Sequence, residues 1–73
     1  MTAKVTRFVS LFGSRASVVH VAHSLWAYVT TDSGVKERMH YYNVDNALDC
    51  IRTLERLTND KWRVDDYEIV KSH

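Results

Sequence analysis

Apolar and polar positions along the chain alternate with a period of two, then with the period of a helix, then again with a period of two. Over residues 4–12, Val5, Val9 and Leu11 fall on one alternating face and Phe8 and Phe12 on the other. That pattern predicts a strand with apolar contacts on both sides. Gly13-Ser14-Arg15 reads as the turn that follows. Residues 17–31 fit two periods. As a strand they place Val19, Val21, Leu25, Ala27 and Val29 on one face, interrupted by His23, with Trp26 and Tyr28 opposite. As a helix they gather Val18, Ala22, Leu25 and Val29 on one stripe. Periodicity does not separate the two, but four valines, two threonines, Trp26 and Tyr28 favour the strand, because β-branched and aromatic side chains suit a pleated surface.

Thr31-Asp32-Ser33-Gly34 is a turn signal, and residues 35–44 alternate Met39 and Tyr41 against Arg38, His40 and Tyr42 as a hairpin partner. A helix over residues 45–58 comes next, with Val44 as its staple, Asp45 as its N-cap and Asn59-Asp60 as its end. Its expected core stripe is Ala47, Ile51 and Leu54, flanked by Cys50, Leu57 and Leu48. Asp49, Arg52, Thr53 and Arg56 then face solvent. Residues 62–70 form a last strand in which Trp62 and Val64 are out of phase with Tyr67 and Ile69, so Asp65-Asp66 marks a β-bulge or bend. The predicted fold is one α+β domain spanning residues 1–73. Its small antiparallel sheet carries one helix on one face, in the order β-β-β-α-β, with β-α-β-α-β as the alternative.

Composition narrows the class. A chain of 73 residues that is 45% hydrophobic and 26% charged has the balance of a folded domain. The lone Cys50 cannot form an internal disulfide, and no apolar run reaches the length of a membrane span, which together with a polar start at Met1-Thr2-Ala3-Lys4 predicts a cytoplasmic protein with no membrane contact. Residues 1–44 carry a net charge of +3 and residues 45–73 a net charge of −2. Such a bipolar chain suits a protein partner better than a sequence-independent grip on nucleic acid, which needs concentrated cations.

Candidate chemistry is sparse. His20 and His23, with His40 as a third ligand, suggest a zinc or copper site. In a strand their three-residue spacing puts the two rings on opposite faces, and neither paired cysteines nor a nearby carboxylate support them. Cys50 lies mid-helix at the edge of the core stripe, away from the N-terminal dipole that would activate a thiolate, and reads as a structural thiol. No nucleophile elbow or phosphate loop is present. The expectation is a protein that is not an enzyme and needs no cofactor or metal. The informative cluster is Lys36, Arg38, His40 and Tyr42 beside Trp26 and Tyr28, with Asp65, Asp66 and Glu68 as an acidic end. Aromatics with cations serve as interface hot spots or as stacking platforms for single-stranded nucleic acid. A single helix leaves one sheet face to solvent, where such residues find partners.

At Val44-Asp45-Asn46-Ala47-Leu48-Asp49, after a strand and opening a helix, with Trp62-Arg63-Val64 and Ile69-Val70 beyond, the chain resembles the small phage-encoded inhibitors of host RNA polymerase. In those inhibitors a hydrophobic-Asp-x-Ala-Leu-acidic stretch opens the helix and an aromatic-containing strand follows. Small anti-CRISPR proteins share the strand-helix-strand style. The resemblance spans the second half of the chain. It implies a phage regulator of transcription in the host-cell cytoplasm, a stoichiometric inhibitor that docks on a large host complex such as RNA polymerase and blocks a working surface. A single-stranded nucleic-acid binder and an anti-CRISPR-type inhibitor of another host complex are the alternative readings.

Overall fold

A computed structural model describes residues 2–41 and 46–71. Strands β1 (Thr2–Ser10), β2 (Arg15–Val21), β3 (Trp26–Thr31) and β4 (Lys36–His40) precede helix α1 (Asn46–Thr58), and strand β5 (Trp62–Lys71) ends the described chain. The strands form one antiparallel sheet in the order β4-β3-β2-β1-β5. The first four strands are therefore a meander, and α1 carries the chain back so that β5 adds beside β1. The α+β class and the single helix agree with the sequence reading, but four strands precede the helix rather than three. The β-α-β-α-β alternative is also set aside, since residues 17–31 contain no helix.

That segment is neither of the two elements expected for it. It is two strands joined by a tight turn in which the Ser24 N–H donates to the Val21 carbonyl at 3.0 Å and His23 adopts φ 66°. Histidine is one of the few residues that tolerate the left-handed region without glycine. The turn is held from both sides. The Ser24 hydroxyl accepts from the Trp26 N–H at 3.1 Å, and the Ala22 N–H donates to the Thr2 carbonyl at 2.7 Å.

The other two hairpins share one construction. In each, a hydroxyl residue (Ser10 or Thr31) opens the loop, its backbone N–H donates to the carbonyl four residues on, and its side-chain oxygen accepts from that residue's N–H. A glycine closes each loop, Gly13 at φ 85° and Gly34 at φ 92°, and donates back to the opening residue's carbonyl at 3.0 Å. This is the three-residue hairpin with a left-handed third position. It explains why Ser10 and Thr31 are buried polar residues, since each hydroxyl is satisfied within its own turn. The first loop begins earlier than expected. Leu11 and Phe12 lie in the turn, 78% and 88% exposed, and not in the strand.

Strand register places Phe8 of β1, Ala16 and Val18 of β2, Ala27 and Val29 of β3 and Met39 of β4 on one face of the sheet. Helix α1 covers that face with Cys50 and Leu54, and Trp62 of β5 closes the core. Leu54 is fully buried, and burying such a side chain stabilises by about 1.5–3 kcal/mol over leaving it exposed. The buried stripe runs through Cys50 and Leu54 with Ile51 packed at its edge. It is rotated from the expected one, so that Ala47 and Leu48 are exposed. The helix stops where Asn59 turns left-handed at φ 57° and its N–H donates to the Glu55 carbonyl at 2.9 Å. Thr58 ties this end to the last strand, since its hydroxyl donates to the Leu54 carbonyl and accepts from the Trp62 indole N–H, both at 2.7 Å. The staple and cap expected at Val44 and Asp45 lie outside the described residues. The expected bulge is present: Arg7 pairs with Asp66 and Phe8 with Val64, leaving Asp65 as the additional residue.

Leu54→Ala is expected to cost about 2–5 kcal/mol by urea unfolding, through lost contact and the cavity left behind. A cost under about 1 kcal/mol would mean that Leu54 is not the centre of the core. Gly13→Ala and Gly34→Ala meet no steric obstacle, so their expected cost of about 1–2 kcal/mol each comes from backbone conformation alone. Equal stability to the parent chain would contradict the left-handed turn positions.

Candidate functional site

The pleat that buries Phe8, Val18 and Val29 under α1 sends the intervening residues to the opposite, open face. Register lays them out in rows across the sheet. One row runs Arg38, Tyr28, Val19, Val5, Glu68, each residue directly opposite the next on the neighbouring strand. A second runs Lys36, Thr30, Ser17, Arg7, Asp66. Trp26 faces His40 at one side of the sheet, and Val21, Ala3 and Val70 lie in line at the other.

Of the residues singled out in the sequence, Trp26, Tyr28, Lys36, Arg38 and His40 come together on β3 and β4. Trp26 and Tyr28 share their face with Arg38 and His40, which resolves the register left open in the sequence against Met39, a core residue. The Arg38 guanidinium lies 4.1 Å from the Trp26 ring centroid, and His40 meets the same ring edge-on at 5.1 Å. Stacking uses the flat faces of the guanidinium and leaves the N–H donors in its plane for an acceptor. Tyr28 is 54% exposed and holds its ring to solvent. Tyr42 lies outside the described residues.

Asp66 and Glu68 are on the same open face but on β5, four strand spacings or about 19 Å from β4. Arg7 holds both, donating to Asp66 Oδ1 at 3.0 Å and to Glu68 Oε1. These bonds, that to Asp66 foremost, push the Arg7 pKa up. Asp65 sits at the bulge and belongs to the end of the sheet, beside Arg15 and Asp32, not to the row of Asp66 and Glu68. The face is thus cationic along β4 and carries Asp66 and Glu68, with Arg63 toward one end, along β5; between them one row is apolar at Val19 and Val5 and the next is polar at Thr30, Ser17 and Arg7. Sequence reasoning missed the apolar middle of Val5, Val19 and Val21, which Val70 extends onto β5. Its visible signals were the alternation of Val5 and Val9 against Phe8 and the placing of Val19 and Val21 on one face in the strand reading of residues 17–31, because strands apolar on both faces of a sheet with one helix must leave one side uncovered.

The histidines are dispersed. His20 points to the helix side, stacks on Tyr41 at 3.6 Å between centroids, and donates from Nε2 to the Ser24 carbonyl at 2.7 Å. His23 is in the turn and His40 on the open face. Among the described residues no three metal-ligating side chains gather. Cys50 is buried beside a groove lined by Lys4, Thr6, Tyr41 and Tyr67. Burial, with a smaller contribution from Asp49, pushes its thiol from 9.0 to about 11, while Lys4 pulls the other way. Burial also raises Tyr41. Burial among core side chains makes Cys50 a packing group of the helix–sheet interface.

No helix among the described residues is long and apolar enough to cross a membrane. Comparison with protein-family models, curated proteins and solved structures finds no match for this chain.

The raised thiol makes stability fall in alkali. The unfolded chain ionises Cys50 near pH 9 and the folded chain near pH 11, so the stabilisation is fully present below pH 9 and is lost as pH rises toward 11. Unfolding free energies measured across roughly pH 8–11 are expected to fall less steeply in Cys50→Ala than in the parent chain, and iodoacetamide at about pH 8 is expected to label Cys50 only after denaturation. Rapid labelling of the native protein would refute the buried thiol.

Proposed function

We propose that this domain is a non-enzymatic protein-binding module and that its contact surface is the open face of the sheet. The observation that carries the reading is the uncovered apolar strip of Val5, Val19 and Val21, continuous with the exposed Tyr28 and Trp26 and bordered by charge on both sides. An apolar centre with Trp, Tyr and Arg at its edge is the anatomy of an interface core and rim. Trp26 and Tyr28 supply area at low entropic cost, Arg38 and Lys36 supply donors, and Asp66 and Glu68 set the polarity of the partner. In this reading the domain acts by occupying a surface of its partner. The resemblance to phage inhibitors of host RNA polymerase would make that partner a large host assembly, and its identity is a matter for the capture experiment below.

A second reading has its own support. Trp26 and Tyr28 beside Arg38 and Lys36 could stack and neutralise a single strand of nucleic acid. The branched aliphatic side chains that fill the rest of the face offer no flat surface for bases, which favours a protein.

Capture from a lysate of the source cells tests the proposal. The parent chain is expected to retain a specific protein that Trp26→Ala, Tyr28→Ala and Arg38→Ala each lose by at least about tenfold, while all three variants keep the parent circular dichroism. Capture that is indifferent to all three substitutions would remove the open face from the function. Oligonucleotide binding that falls by decades with rising salt and needs the same residues would establish the second reading instead.

A further inference from the structure

We infer that the open face is self-complementary and that its occupant is a second copy of this chain, packed sheet to sheet about a two-fold axis that runs along β2. This inference rests on reading the open face as a protein-binding surface and goes further by naming the partner.

The argument begins from strand order. In β4-β3-β2-β1-β5 the strand β2 is central, so a two-fold axis parallel to it lays β4 over β5 of the second copy and β3 over β1. The rows then meet themselves in reverse. Arg38 faces Glu68 of the other copy, Tyr28 faces Val5, and Val19 faces Val19 on the axis. In the neighbouring row Lys36 faces Asp66 and Thr30 faces Arg7. Trp26, the largest side chain of the face, meets the Ala3 end of β1, the smallest. Each cation–carboxylate pair occurs twice by symmetry. Asp66 and Glu68 keep their bonds to Arg7, because a carboxylate has acceptor sites for more than one donor.

The competing arrangement separates cleanly on charge. A two-fold axis across the strands would lay β4 over β4 in reverse, setting the Lys36–Arg38 edge against the same cationic edge of the second copy, which is repulsive. Only the axis along β2 brings the cationic edge to the acidic one. Among the described residues Arg15 is the cation placed near its own copy, and it lies at the last position of the face on β2, where its chain extends past the rim. Aligned sheets pack about 10 Å apart with strands about 30° off parallel, so the match is closest at Val19 and loosens toward the corners.

Size sets the expected strength. Five strands at about 4.8 Å and about five residues at about 3.3 Å each give a footprint on the order of 400 Å². A standard interface covers about 800 Å² per partner, so the dimer is expected to be reversible and concentration-dependent.

Sedimentation velocity over a dilution series is the test. The parent chain is expected to pass from dimer to monomer on dilution. Arg38→Glu sets a carboxylate against Glu68 at both ends of the row, and Glu68→Arg sets two guanidinium groups together in the same places. Each variant alone is therefore expected to dissociate at least about tenfold more readily, and an equimolar mixture of the two should regain the parent dimer. Val19→Lys, which sets two ammonium groups on the axis, is expected to remain monomeric with an intact circular dichroism spectrum. A parent chain that stays monomeric at every concentration overturns the inference, and so does a dimer untouched by all three substitutions, which would lie elsewhere, as on the long edge of β5. If the chain is monomeric while capture of another protein still requires Trp26, Tyr28 and Arg38, the second copy is excluded and the reading of the face stands.

Discussion

One helix covers one face. Helix α1 has 13 residues and is about 20 Å long, enough to span a sheet of five strands about 19 Å across once and no more. Everything else in the molecule is arranged by that limit. The side of the sheet under the helix holds the core of Phe8, Val18, Val29, Leu54 and Trp62. The side away from it is left with Val5, Val19, Val21, Tyr28 and Trp26, which no element of the described chain covers. Along that strip the three valines are half-buried by their neighbours in the sheet, and Tyr28 and Trp26 open to solvent.

The sheet supports this asymmetry through its turns and its last strand. The loops opened by Ser10 and Thr31 close by the same hydrogen bonds, and each fixes the register of its hairpin. A slip of one residue would carry every side chain to the other face, exchanging core for surface. The bulge at Asp65 absorbs one such shift within β5. It lets Trp62 and Val64 face the helix at one end of the strand and Tyr67 and Ile69 do so at the other, while Asp66 and Glu68 reach Arg7 on the open side. Charge is therefore distributed across the sheet, cationic at β4 and carboxylate-bearing at β5, although the two strands are far apart in the chain.

Much of this was legible in the residues. The β1 alternation, the Thr31-Asp32-Ser33-Gly34 turn, the end of the helix at Asn59 and the phase break at Asp65-Asp66 each have a local cause: a period, a glycine, a residue that tolerates left-handed backbone, an even count where an odd one was due. The hairpin between β2 and β3 was not legible, because Ala22-His23-Ser24 contains neither glycine nor proline. Its turn is held by Ser24 hydroxyl bonds and by Thr2 on another strand. The rotation of the helix stripe from Ala47 to Cys50 was hidden for a related reason. Several apolar positions on α1 were available, and the sheet selected among them.

What the sequence by itself determined is therefore local: the elements with strong periodicity, the turns that need glycine, and the presence of aromatics and cations along the strands. Those features depend on residues within a few positions of one another. Only the tertiary structure decided which strand lies beside which, that β5 pairs with β1, that Arg7 binds Asp66 and Glu68 across 59 and 61 positions, and that Arg38, Tyr28, Val19, Val5 and Glu68 stand in one row. The physical reason is that strand pairing and face selection are settled by burial of the whole core at once. A surface assembled from five strands is then a property of the packed sheet and of no segment in it.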